Sequence, residues 1–198
     1  ITALGCMDSI TTTVMVNPLP TPQISFTPAT ICITAPIQNP IYSPLGGTMY
    51  GAGILNNQFN PSVAGLGQFT IHYIVTDNNS CTDSTTALLT VVNLPAVQIN
   101  TNPDTLCKQG NPISLSGTPA GGTFNGPAIS GNQFNPLSGN LGLNQFTYTY
   151  TDPLGCSNST NDTITLINGP SISFQTIDSI CITGGLVTLA ATPKGGTF

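Results

Sequence analysis

The sequence repeats itself every 75 residues, and that period constrains the fold more than any single residue does. Shifted by 75, Cys6 falls on Cys81 and Cys156, Cys32 on Cys107, and Asn57-Gln58-Phe59-Asn60-Pro61 on Asn132 to Pro136. Pro20, Pro95 and Pro170 coincide as well. A further copy opens at Pro170 and slips by one residue, so Cys181 and Gly195-Gly196-Thr197-Phe198 follow Cys107 and Gly121 to Phe124 at a spacing of 74. The period divides the chain into the C-terminal end of one repeat (1–19), two complete repeats (20–94 and 95–169) and the N-terminal part of another (170–198). A unit this small buries a thin core and usually needs disulfides or neighbours.

Within a repeat the apolar residues alternate. In Gln68 to Asp77, the side chains of Phe69, Ile71, Tyr73 and Val75 share one face, and Thr70, His72, Ile74 and Thr76 the other. The sister segment sets Phe146, Tyr148 and Tyr150 against Thr147, Thr149 and Thr151. This period of two is the signal of a half-buried strand. Shorter candidates are Gln23 to Phe26 and the closing strands Thr86 to Val92, Thr163 to Ile167 and, in the first piece, Thr11 to Val16. Ile113 to Gly117, Thr123 to Asn125, Ala128 to Ser130 and Gln133 to Asn135 complete about seven per repeat, with no helical periodicity. Short alternating strands with frequent turn residues predict an all-β protein of tandem immunoglobulin-like β-sandwich repeats. Linkers of only a few residues at Pro20, Pro95 and Pro170 predict stacking end to end as a semi-rigid rod. The end pieces 1–19 and 170–198 cannot bury their apolar faces alone. We therefore expect the polypeptide to continue in both directions, or a neighbouring copy to complete each half.

Charge narrows the function. Only 5% of residues are charged: seven Asp, no Glu, Lys108 and Lys194. Nucleic-acid binding and attraction to anionic membranes both need clustered basic residues, and no apolar run reaches the roughly 20 residues that span a bilayer. His72 is the one candidate general base near neutral pH. It lies on a polar strand face where the sister repeat carries Thr147, so a non-enzyme without cofactor or metal is expected. Gly46-Gly47 and Gly121-Gly122 read as turns needing positive φ rather than phosphate loops. Asp77 and Asp152 each open a turn and read as Asx-turns rather than calcium ligands. Six periodic Cys in a chain rich in Thr, Ser, Asn and Gly indicate an oxidising, extracellular setting.

Three disulfide pairings fit the period. With seven antiparallel strands, Cys32 and Cys107 lie near the first turn at the top of a domain, and Cys81 and Cys156 at the last turn, at the bottom. A bond within a repeat (Cys32 to Cys81, or Cys107 to Cys156) would then cross some 20 Å of sandwich, against the roughly 4.4–6.8 Å between bridged Cα atoms. Cys81 to Cys107 would span nearly two domains. The expected bond is Cys32 to Cys156, joining one repeat to the next, with Cys6, Cys81, Cys107 and Cys181 pairing outside these 198 residues. A missing strand, or a first segment that doubles back, would restore the pairs within a repeat.

The full cassette is a Cys, then PxGGTFxGxxIxGNxFNP, then FTYTYTDxxGC and a Thr-rich strand ending in Pro. It resembles the tandem immunoglobulin-like repeats of large Bacteroidota surface proteins, such as gliding-motility adhesins and other cargo of type IX secretion. The resemblance covers essentially the whole chain. It implies an exported, surface-attached or filamentous protein: a structural stalk or filament segment for adhesion or gliding, whose partners are adjacent repeats or copies of itself. The alternatives are a ligand-binding module for a surface or glycan, or a passive spacer carrying an enzyme elsewhere. Five of the seven Asp precede a hydroxyl residue and then an apolar residue or Thr, naming Ser9, Ser84, Thr105, Thr163 and Ser179. This looks like the O-glycosylation acceptor motif of Bacteroidota; the competing reading is that Asp before Ser or Thr marks turns and strand starts. The asparagine sequons at Asn78, Asn158 and Asn161 are the weaker candidates.

Overall fold

The computed structural model describes residues 8–100, 103–176, 179, 181, 182, 184, 186 and 188–196. The protein is all-β. It divides into two compact units: unit 1 holds residues up to Leu94 together with Pro153–Cys156, and unit 2 holds Pro95–Asp152 and the residues from Ser157 onward.

Unit 1 contains β1 (Gln23–Ser25), β2 (Thr30–Cys32), β3 (Ile41–Ser43), β4 (Thr48–Tyr50), β5 (Ile54–Leu55), β6 (Gln58–Phe59), a one-turn helix α1 (Pro61–Ala64), β7 (Gly67–Thr76) and β8 (Thr82–Val92). A four-stranded sheet runs β2-β8-β7-β4, while β1-β3 and β5-β6 form separate pairs. The alternation in β7 does what it predicts: Ile71, Tyr73 and Val75 are buried, beside Leu89 and Val91 from β8. Phe26 and Phe59 pack against Ile31, Ile71, Leu89 and Val91 of this sheet. The core therefore lies between the long hairpin and the short strands, each contributing the apolar half of its residues.

Unit 2 repeats the plan. It contains β9 (Gln98–Asn100), β10 (Thr105–Cys107), β11 (Ile113–Ser114), β12 (Ser116–Thr118), β13 (Thr123–Asn125), β14 (Ile129–Ser130), β15 (Gln133–Phe134), a 3₁₀ turn (Pro136–Ser138), β16 (Gly142–Thr151) and β17 (Ser157–Ile167). Its large sheet runs β10-β17-β16-β13, and Leu115, Phe134, Phe146, Ile164 and Leu166 pack together as its core cluster. A last hairpin, β18 (Ser173–Phe174) with β19 (Ala191–Thr192), pairs Ser173 with Thr192. The equivalent partners in the complete repeats are Gln98 with Thr118 and Gln23 with Ser43.

Four expectations need correction. The strands are not all antiparallel: β2 and β10 run parallel to the closing strands, setting Cys32 opposite Val92 and Cys107 opposite Ile167. The segment 113–117 is two strands, because buried Leu115 bonds Asn132 O through its N–H at 2.8 Å while β11 pairs with β15 and β12 with β9. The closing strands begin at Thr82 and Ser157, earlier than their apolar residues suggest, since each pairs with a ten-residue neighbour along its whole length. Residues 11–16 are exposed and form no strand, for no neighbouring strand among the described residues pairs with them.

Candidate functional site

The parallel register of β2 decides which cysteines can meet. Cys32 sits at the Val92 end of β8, and Cys81 precedes Thr82 at the other end of that 11-residue strand. At about 3.3 Å per residue the two are some 30 Å apart, so they cannot bond. Cys32 is joined instead to Cys156, with Cα atoms 5.5 Å apart and a sequence separation of 124. Cys156 is fully buried and belongs with Pro153–Cys156 to unit 1. That turn links β16 and β17 of the later repeat, so the disulfide crosslinks the two repeats covalently. Cys81 is a half-buried free thiol, and Cys107 and Cys181 are exposed free thiols. Cys6 lies outside the described residues.

The turn that carries the cysteine is built by its aspartate. Asp77 Oδ1 accepts from the backbone N–H of Asn79 at 2.8 Å and of Cys81 at 2.9 Å, and Ser80 adopts φ +64°. The Asx-turn reading of Asp77 stands. At the equivalent turn Gly155 takes φ +86°.

A second recurrent device holds each large sheet to the short strands. Tyr148, buried on β16, donates its hydroxyl to Pro119 O at 2.5 Å and accepts from Gly122 N at 2.8 Å. Tyr73 makes the same two contacts, with Pro44 O and Gly47 N. The paired glycines divide the labour. Gly46 and Gly121 each take φ +96° in open space, whereas a Cβ on Gly47 or Gly122 would lie 2.4 Å from the backbone oxygen of Ile74 or Thr149. Sequence reasoning found the turn but not the tyrosine that the second glycine accommodates.

Three further residues were missed. Asn60 and Asn135 cap the one-turn helices, each accepting from a backbone N–H two residues on, with Pro at the first helical position. The Asn-Pro pair was the available signal. Lys108 occupies the place of Ile33 and donates its ammonium to Pro136 O, Leu137 O and Gly139 O, closing the C-terminal side of the 3₁₀ turn. Hydrogen bonds to a charged group contribute about 1.5–3 kcal/mol in total at such a site. Lys108→Met should therefore lower the urea midpoint of unit 2 by a corresponding amount and leave unit 1 unchanged, as intrinsic fluorescence or hydrogen exchange would show.

The remaining candidates are dispersed. His72 stacks on Tyr50 with ring centroids 4.6 Å apart and planes within 6°. Among the described residues no cluster of three His, Cys, Asp or Glu could hold a metal ion. Ser9, Ser84, Thr105 and Ser179 are exposed and Thr163 is half-buried. Asp83 and Asp162 each accept at 2.8 Å from the N–H of the following hydroxyl residue.

No family model matches the sequence. No curated protein matches it either. Among solved structures, it is similar to one described as a Ca2+-stabilized adhesin that helps an Antarctic bacterium reach out and bind ice, at 16% identity and a TM-score of 0.44. That likeness covers 82% of this chain and 53% of the other, so the chain spans about half the length of that structure.

Proposed function

We propose that this chain is a load-bearing segment of an extracellular bacterial surface protein, a stalk or filament that serves adhesion or gliding without catalysis of its own. The observation that carries the reading is the Cys32–Cys156 bond, which ties one repeat to the closing turn of the next. A disulfide that bridges repeats resists extension of the chain in a way that a bond within one repeat does not. Disulfides of this kind also belong to oxidising compartments. The scarcity of Lys, and the absence of Arg, leaves almost no cleavage points for trypsin-like proteases, which suits an exposed fibre. Immunogold electron microscopy of the source cells, with antibodies raised against this chain, tests the reading. Label along surface fibres supports it; label confined to the cell interior contradicts it.

The reading includes a glycan coat, supplying hydration to a surface with few charges. Ser9, Ser84, Thr105 and Ser179 should carry sugar in the native protein, with lower occupancy at half-buried Thr163. Glycopeptide mass spectrometry checks this, and unmodified peptides at all five positions would discard it.

A further inference from the structure

We propose that a hollow on the outer face of the large sheet of unit 2, between β13, β16 and β17, binds one ring of a neutral saccharide. The inference rests on the surface reading above and deepens it, naming the chemistry that the surface takes hold of.

The side chains of a strand alternate, so one face of each large sheet points away from the core. In unit 2 the outward residues of β13, β16 and β17 include no charged side chain. Three of them stand in one row across the strands, because Asn125 pairs with Thr147 and Thr147 with Asn161. With Gln145 and Thr149, which flank Thr147 on the same face of β16, they line a hollow of about 530 Å³. That is the size of an ordinary small-ligand site.

The hollow has hydrogen-bonding capacity to spare. The Thr147 hydroxyl donates to Asn161 Oδ1 at 2.6 Å, which holds that amide in place and leaves its Nδ2 group to donate elsewhere. Among the described residues, the side chains of Asn125, Gln145 and Thr149 have no hydrogen-bond partner. Amides and hydroxyls together both donate and accept, and a sugar hydroxyl needs both. An anion or a cation would find no counter-charge on this face.

The fold does not require these residues. Asn is depleted in strands, yet two of them occupy this row. Unit 1 places Tyr50, His72 and Thr86 in the same pairing. There the Tyr50 and His72 rings stack with centroids 4.6 Å apart and fill the place that unit 2 leaves open. Good strand formers thus hold the row in one unit and give way to amides in the other. A local rule broken without a folding reason points to function.

The test is a nuclear magnetic resonance titration of the full, oxidised, isotope-labelled chain. The protein is produced without glycans, so that no sugar on Thr163, which pairs with Gln145, reaches the hollow. The probes are the methyl glycosides of glucose, galactose, mannose and N-acetylglucosamine, with glucuronate as the charged control. At least one neutral glycoside should give saturable shifts centred on the side-chain amides of Asn125, Gln145 and Asn161, with a Kd on the order of 1 mM. Gln145→Ala should weaken binding roughly three- to tenfold, the effect of losing one neutral hydrogen bond. Asn125→Tyr combined with Thr147→His rebuilds the unit 1 stack, and should abolish saturation while the signals of the core stay in place. No saturation by any neutral glycoside, shifts scattered over both units, glucuronate binding as tightly, or binding retained in the double variant would each overturn the proposal. If the antibody label lies on surface fibres and the titration fails, the sugar site alone is overturned. Label confined to the cell interior overturns the surface reading whatever the titration shows.

Discussion

Stretched from its two ends in an optical trap, the oxidised chain should yield far less length than the reduced one. The Cys32–Cys156 bond closes a loop of 124 residues, and residues inside a closed loop bear no load. At roughly 3.3–3.6 Å per extended residue, reduction should release on the order of 400 Å of additional contour length. Cys32→Ser should reproduce the reduced trace under oxidising conditions. The thermodynamic counterpart is large as well. Closing a loop of this size in the unfolded chain is worth up to about 5 kcal/mol in the chain-entropy treatment. Equilibrium unfolding of the Cys32→Ser, Cys156→Ser double variant should show a loss approaching that value. Equal contour lengths with and without reductant would mean that the bond does not bridge the repeats.

Gly122→Ala should be among the most damaging single substitutions in unit 2, and Gly121→Ala, one residue away, a mild one. A Cβ on Gly122 would lie 2.4 Å from Thr149 O, 2.5 Å from Tyr148 Cζ and 2.6 Å from its hydroxyl oxygen. The oxygen of Thr149 is strand backbone, so relief requires moving β16 or expelling the Tyr148 ring. Overpacking of this kind costs about 1–3 kcal/mol or more, and the two hydroxyl hydrogen bonds lost with the ring add a further 1–3 kcal/mol or so. On Gly121 the new methyl meets open space, and the cost is confined to its φ of +96°, about 1–2 kcal/mol. Tyr148→Phe should fall between them, losing the bonds to Pro119 and Gly122 but keeping the ring. Denaturant melts of the three variants rank them. An order with Gly121→Ala as the worst would refute the clamp.

Much of this arrangement is legible before any coordinate is known. Strict alternation in β7 and β16 identifies which side of each long strand is buried, because a polar Thr between apolar neighbours has one consistent place to go. The period then transfers every assignment from one repeat to the next. Legibility fails where pairing rather than pattern forms the element. Ser157 to Asp162 contains no apolar residue, yet it is strand because Phe146 to Thr151 pairs with it residue by residue. Residues 11–16 have the composition of a strand but pair with no strand among the described residues. The parallel entry of β2 and β10 leaves no local signature, since three residues show no direction. The site divides in the same way. The Cys32–Cys156 pairing is expected from cysteine positions on an assumed array of seven antiparallel strands, and it holds although β2 enters parallel. The Tyr148 hydroxyl and the Lys108 ammonium act across 26 to 31 residues of sequence and can be seen only once the sheet has brought them together.

The covalent link between successive repeats is the centre of the account, and peptide mapping of the native protein under non-reducing conditions examines it without intermediaries. Free thiols are blocked before digestion with a protease that cleaves at apolar or acidic residues. The account requires a crosslinked peptide pair containing Cys32 and Cys156, with Cys32 absent from every linear peptide. Recovery of Cys32 bonded to Cys81, or of Cys107 bonded to Cys156, would place the disulfides within repeats and contradict it.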